Sequence, residues 1–174
     1  QVGRAGRSTD SAEVILLPND PDSVRVAEIA ARTAEEEDGV RVAVIPTQAQ
    51  VQGLAAIAVH EPGRSFEQDV LAMTATASHC RHGAVTIAAK QAITMAGPCE
   101  PGDVLGVIEG DFAIVGAELT QVAAGIIDRL LGSGGELVTL VAGEDGEELI
   151  AWCEQYVETN YPAVDAVAYV GGQE

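Results

Sequence analysis

Two short apolar runs, Glu13 to Leu17 (EVILL) and Val40 to Ile45 (VRVAVI), bracket a single amphipathic stretch, and this arrangement constrains the fold more than any other feature. The first run closes on Pro18-Asn19-Asp20-Pro21, as a buried strand entering a turn does. Asp22 or Ser23 is then placed to cap a helix carrying Val24, Ala27, Ile29, Ala30 and Ala31 on one stripe, which dissolves into the solvated run Glu35-Glu36-Glu37-Asp38-Gly39. The second run ends at Pro46-Thr47. Strand, helix, strand in this order predicts a parallel pair joined by a right-handed crossover. Ligands of such units gather at the carboxyl ends of the strands, which makes Pro46 and Thr47 candidate binding residues.

A second helical pattern runs from Ala49 to His60, with Val51, Leu54, Ala55, Ala58 and Val59 recurring at three and four. Gly53 interrupts it at a cost of about 1 kcal/mol relative to alanine. Gly53, with its neighbour Gln52, therefore marks close packing or the approach of another backbone or ligand. Ser65 and Gln68 form a capping box for a helix from Phe66 to Ser78, with Phe66, Val70, Met73 and Ala77 inside.

The pattern then changes. Ala84 to Ala89 reads as a strand, Val104 to Glu109 and Asp111 to Val115 as a hairpin about Gly110, and Gly97 to Gly102 as a loop. Leu119, Val122, Ala123, Ile126, Ile127, Leu130 and Leu131 define a helix closed by Gly132-Ser133-Gly134-Gly135. A strand at Leu137 to Val141, a helix at Glu147 to Glu158 and a strand at Val164 to Val170 complete the chain. The expected fold is mixed α/β: a parallel βαβ lobe over residues 1–82, then a lobe over 83–174 containing antiparallel strands.

Charge excludes several function classes. Against 27 acidic residues stand 9 basic ones, for a net charge of −18, so phosphate backbones and anionic membranes are repelled. Apolar runs are too short to span a bilayer, and Gln1-Val2-Gly3-Arg4 lacks a signal core, which predicts a cytoplasmic protein. The three cysteines, Cys80, Cys99 and Cys153, show no paired spacing and read as reduced thiols. Starting without methionine, the chain reads as a fragment or processed product.

No catalytic set assembles in the sequence. His79, Cys80 and His82 crowd into four positions, where neighbouring ligands diverge instead of converging on one zinc ion, so no metal site is expected. Cys80 lies outside a Gly-X-Cys-X-Gly elbow, and Ser133 outside a Gly-X-Ser-X-Gly one. Gly134-Gly135 and Gly171-Gly172 adjoin strands but carry neither a Walker lysine nor a dinucleotide fingerprint. Asp103, Asp111, Glu144 and Asp145 sit at glycine-rich turns, where carboxylates serve local hydrogen bonding. These readings favour a binding module over an enzyme.

Taken in order, Leu17-Pro18-Asn19-Asp20, Pro46-Thr47, Gln52-Gly53-Leu54-Ala55-Ala56, Met73, Gly83-Ala84-Val85-Thr86, Gly102-Asp103-Val104-Leu105-Gly106, Glu136-Leu137-Val138-Thr139, Gly143-Glu144-Asp145 and Gly171-Gly172-Gln173 form a recognisable series. It resembles the C-terminal region of bacterial dihydroxyacetone-kinase-like proteins, the ATP-binding subunits of fatty acid kinase. The resemblance implies a two-lobed DegV-like fold and a fragment without cofactor of its own, ATP and magnesium belonging to an absent N-terminal domain. It also implies a DegV-like fatty-acid-binding partner whose fatty acid is phosphorylated on its carboxyl group. Pro46, Thr47, Gln52, Gly53, Gly171, Gly172 and Gln173 become candidate contact residues for partner or ligand. An open sheet edge would permit a homodimer. The alternative is a stand-alone DegV-like module that itself holds a fatty acid or another small molecule.

Overall fold

The structure is a computed structural model and describes residues 12–172. The chain divides into two compact units, the first ending at Cys80 and the second starting at Arg81. Among the described residues there are five helices and nine strands, in parallel and antiparallel sheets.

The first unit is the expected βαβ element extended by two helices. Strand β1 (Glu13–Leu16) pairs in parallel with β2 (Arg41–Val44), Ile15 lying opposite Ala43. Helix α1 (Pro21–Asp38) connects them. Its N-cap is Asp20, ahead of Asp22 and Ser23 where the sequence pattern places it. Asp20 Oδ1 accepts from the Asp22 N–H at 3.4 Å and Oδ2 from the Ser23 hydroxyl at 2.6 Å. Pro21 fits immediately after the cap because the first helical N–H has no intrahelical acceptor to lose. Gly39, at φ 64°, ends the helix in the left-handed conformation that a side chain would strain.

Helices α2 (Gln50–Ala58) and α3 (Phe66–His79) pack on each other and bury Ile45, Ala56, Met73 and Ala77 against Ile15, Leu17 and Val59. Ser65 caps α3 by accepting from the Gln68 N–H at 3.4 Å, as the sequence predicts.

In the second unit β3 (Gly83–Ile87), β6 (Val104–Ile108) and β7 (Asp111–Gly116) form an antiparallel sheet in the order β3-β6-β7, with the predicted hairpin between the last two. Between β3 and β6 in sequence, β4 (Ala92–Thr94) pairs with β5 (Gly97–Cys99). The segment from Gly97 is thus partly strand and not all loop: Cys99 is pulled into a buried cluster with Ala88 and Leu105, and that burial fixes the pairing. Helix α4 (Leu119–Leu131) lies on the three-stranded sheet with Val122, Ala123, Ile126 and Ile127 of the expected stripe buried and Leu130 and Leu131 partly so, while Leu119, in the first turn, is exposed. It approaches closely, because a Cβ on Gly106 would stand 3.0 Å from the Val122 side chain. Gly134, at φ 89°, supplies the left-handed turn after the helix, while Gly132 stays right-handed.

Strands β8 (Leu137–Ala142) and β9 (Asp165–Val170) pair in parallel, with helix α5 (Glu147–Asn160) as the crossover. The second unit therefore combines the expected antiparallel sheet with a parallel βαβ element of its own. Its largest cluster joins Ala123, Ile127, Cys153 and Val157 to partly buried Val138, Leu140 and Leu149.

Candidate functional site

The carboxyl ends of β1 and β2 bring together Asn19, Pro46 and Thr47 with the first turn of α2. Asn19 takes a positive φ of 59°, a conformation asparagine tolerates better than most residues, and its N–H donates to Thr47 Oγ1 at 3.0 Å. Thr47 is 1% exposed, whereas Pro46 is open to solvent. Gly53 is buried and faces the Asn19 side chain so closely that a Cβ there would collide with the amide. The close approach read from the sequence is thus made by Asn19. Asn19 Oδ1 is itself buried and has no hydrogen-bond partner among the described residues. Gln52 ties the site to its surroundings: its Oε1 accepts from the Gln48 N–H at 2.7 Å, and its Nε2 donates to the carbonyls of Ala77 and Cys80 at 3.3 and 3.4 Å.

The other candidate residues lie in the second unit. Gly171 and Gly172 follow β9, both exposed, and their N–H groups donate to the Ala142 carbonyl at 2.9 and 3.3 Å. Gln173 lies outside the described residues.

A polar centre that sequence reading missed lies across the α2–α3 connection. Asp69 of α3 is 4% exposed. Its carboxylate accepts from His60 Nδ1–H at 2.5 Å, from the Glu61 N–H at 3.1 Å and from Arg64 at 3.5 Å. The hydrogen bond from His60 is the main reason its carboxyl is held below the ordinary aspartate range. Arg64 also donates to the Val59 carbonyl at 3.2 Å and to Glu61 at 2.6 Å. The visible clue is Asp69's position four residues before Met73, on the inner stripe of α3, where a carboxylate requires partners.

Beside this centre opens a cavity of about 410 Å³. Ile15, Leu17, Ile57, Phe66 and Met73 give it apolar walls, with His60 and Arg64 also in its lining. Its size and mixed lining suit a small amphipathic molecule.

The His79 to His82 segment is dispersed. His79 Nδ1 contacts the Ala75 carbonyl at 2.7 Å, Cys80 approaches the Val51 carbonyl at 3.8 Å, Arg81 donates to Ser133 and the Gly134 carbonyl, and His82 lies 3.4 Å from Glu109. Among the described residues no group of three or more potential ligands gathers in a metal-binding arrangement. No helix among them is long and apolar enough to cross a membrane.

Comparison with known proteins agrees with the order of motifs in the sequence. The FakA-like C-terminal family of fatty acid kinase matches residues 2–174. An uncharacterised protein of Staphylococcus haemolyticus is 29% identical over 164 residues, covering 91% of this chain and 28% of that protein. Protein YloV of Bacillus subtilis is 25% identical over 172 residues, covering 97% of this chain and 30% of YloV. An uncharacterised protein of Staphylococcus aureus is 23% identical over 164 residues, covering 91% of this chain and 28% of that protein. The chain spans less than a third of the length of these relatives. With a family match running nearly end to end over an α/β framework of the expected kind, the chain belongs to the FakA-like C-terminal family of fatty acid kinase.

Proposed function

We propose that this chain is the docking and regulatory module of the ATP-binding component of a fatty acid kinase. In this reading it holds a DegV-like protein carrying a fatty acid, so that a separate nucleotide domain, with ATP and magnesium, phosphorylates the fatty acid carboxylate. The observation that carries it is the family match along residues 2–174. The strand-end platform of Pro46, Thr47, Asn19 and Gln52 supports it, because its exposed proline is backed by side chains already locked to the fold.

Calorimetry with a fatty-acid-loaded DegV-like protein from the same organism tests the reading, with magnesium-ATP titrated separately. Heat from the partner and none from ATP is the expected outcome. ATP binding without partner binding would overturn it. Pro46→Glu is the preferred variant for the platform, because Gly53 and Thr47 are buried and their substitution would disturb packing as well as docking.

One observation favours a second reading, that the chain itself holds a fatty acid or similar amphiphile: the cavity walled by Ile15, Leu17, Ile57, Phe66 and Met73, at whose polar rim His60 and Arg64 stand with the carboxylates Glu13, Glu61 and Asp69. Native mass spectrometry of the purified chain decides it. A co-purified aliphatic acid displaced by Met73→Trp supports this reading, and a bare mass throughout rejects it.

A further inference from the structure

The chain has six aromatic side chains, a single tryptophan among them. Three of the six, Trp152, Tyr156 and Tyr161, meet at one place in the second unit. Trp152 stacks on Tyr156 with ring centroids 5.1 Å apart and 22° between planes. The phenols of Tyr156 and Tyr161 converge on Asp128 of α4, at 3.0 and 2.7 Å. Tyr156 and Tyr161 also pack against the buried cluster around Val157. Tyr156, tied to Asp128 by its phenol and to the core by its ring, backs one face of the indole, which stays 36% exposed.

Charge on the helix that bears the indole has one sign. Helix α5 carries Glu147, Glu148, Glu154 and Glu158 and no lysine or arginine. Glu148 is exposed one helical turn before Trp152, a spacing that puts both residues on one face of the helix. An exposed indole with a carboxylate one turn away complements a guanidinium, which stacks on the ring while its N–H groups pair with the acid. The molecule already builds this arrangement once: Arg41 lies 4.9 Å over the Phe66 ring and is gripped at its edges by Glu13 and Glu67. On α5 the aromatic and the acid are present, and the helix supplies no arginine of its own.

We infer that the outer face of α5, centred on Trp152 and Glu148, docks an arginine-bearing segment of a partner protein. The inference rests on the docking reading above and adds a surface and a chemistry to it. Aromatic anchors of this kind carry a large share of binding energy at protein interfaces. The acidic end of α1, Glu35 to Asp38, provides the internal contrast, since it has more charge in a row but no aromatic residue within that run.

Because Trp152 is the only tryptophan, its emission reports the site directly. The probe is a synthetic peptide alternating leucine and arginine, titrated into the chain at two salt concentrations, with the lysine counterpart as comparison. The arginine peptide is expected to quench Trp152 and to bind more tightly than the lysine peptide. Glu148→Gln should weaken binding about threefold to fivefold, and Trp152→Leu, followed by calorimetry, at least as much, while Glu36→Gln changes it less than about 1.5-fold. Equal effects of Glu148→Gln and Glu36→Gln would overturn the inference in favour of diffuse electrostatic attraction. The DegV-like protein is then titrated against wild type and Trp152→Leu. If it binds both equally, the α5 surface is wrong and docking stands. If it binds neither while the arginine peptide still distinguishes the variants, the α5 surface stands and the choice of partner is wrong. A dimer by sedimentation that Trp152→Leu dissociates would instead assign the face to a second copy of the chain and overturn the inference.

Discussion

In the first unit two polar side chains, Thr47 and Asp69, sit inside the fold at 1% and 4% exposure, whereas the buried side chains described in the second unit are aliphatic or thiol. The second unit gathers two phenols on Asp128 at the surface. A two-stranded sheet gives the first unit few ways to position loops by apolar packing alone, and backbone N–H groups of Glu61 and Gln48, donating to Asp69 and Gln52, hold them instead. The second unit has a three-stranded sheet under α4, where close glycine-mediated packing suffices. Buried polar tethering belongs to the unit with the strand-end platform and the cavity, and exposed polar contacts to the unit with the exposed indole.

The most forceful way to break this contrast is to remove core volume from each unit in turn. Ile45→Ala in the first unit and Ile127→Ala in the second should each cost about 2–5 kcal/mol in urea unfolding. Trp152 lies in the second unit, so tryptophan emission should follow Ile127→Ala and far-UV circular dichroism both variants. Coincident shifts of both probes in both variants would show one cooperative unit in place of two.

Asp69 separates the units by pH. Its folded pKa lies below the unfolded value, so its contribution is present above about pH 4 and is lost as the pH falls through the folded pKa. Asp69→Asn should lower thermal stability at neutral pH and flatten the acid limb of a melting-temperature profile. An unchanged acid limb would remove Asp69 from its central role.

A subtler test concerns the contact between Asn19 and Gly53. Gly53→Ala should destabilise by about 1–3 kcal/mol through collision with the amide, despite alanine's better helix propensity. Asn19→Gly accepts the same positive φ and removes the obstacle, so the double variant should recover most of that loss. Additive losses would mean that the collision is relieved elsewhere.

The smallest effect belongs to the second unit's surface. Hydrogen bonding to Asp128 pushes the Tyr161 phenol up to about 12, and Tyr156 is also raised, by burial first and by Asp128 second. Their contribution to stability is complete below about pH 10 and declines as the pH rises through the folded values. Asp128→Asn should bring the Tyr161 transition, read by absorbance at phenolate wavelengths, back toward the ordinary tyrosine range.

Elements with sustained periodicity are legible in the sequence alone: β1, β2, α4, the β6–β7 hairpin and the β8–α5–β9 segment all carry their own patterns. The strands β4 and β5 are three residues each, one containing Gly97 and Pro98, so no local preference announces them. Tertiary burial of Cys99 creates them. The cap at Asp20 is masked because Pro18-Asn19-Asp20-Pro21 also reads as a turn and Asp22 and Ser23 follow as rival capping residues. Pro46, Thr47, Gln52 and Gly53 are legible as a group, since strand end and helix start adjoin in sequence. Asp69 is not, because its partners His60 and Arg64 come from a connection whose path only the fold determines.

The buried thiols of Cys99 and Cys153 occupy different clusters of the second unit, and burial pushes Cys153 up to about 11. A closed thiol of this kind reacts with alkylating reagents only during an opening event. The two cysteines are therefore built-in clocks. Pulse alkylation followed by peptide mapping would time the loosening of the β4–β5 hairpin at Cys99 separately from that of the α4–α5 layer at Cys153, without introducing a foreign label.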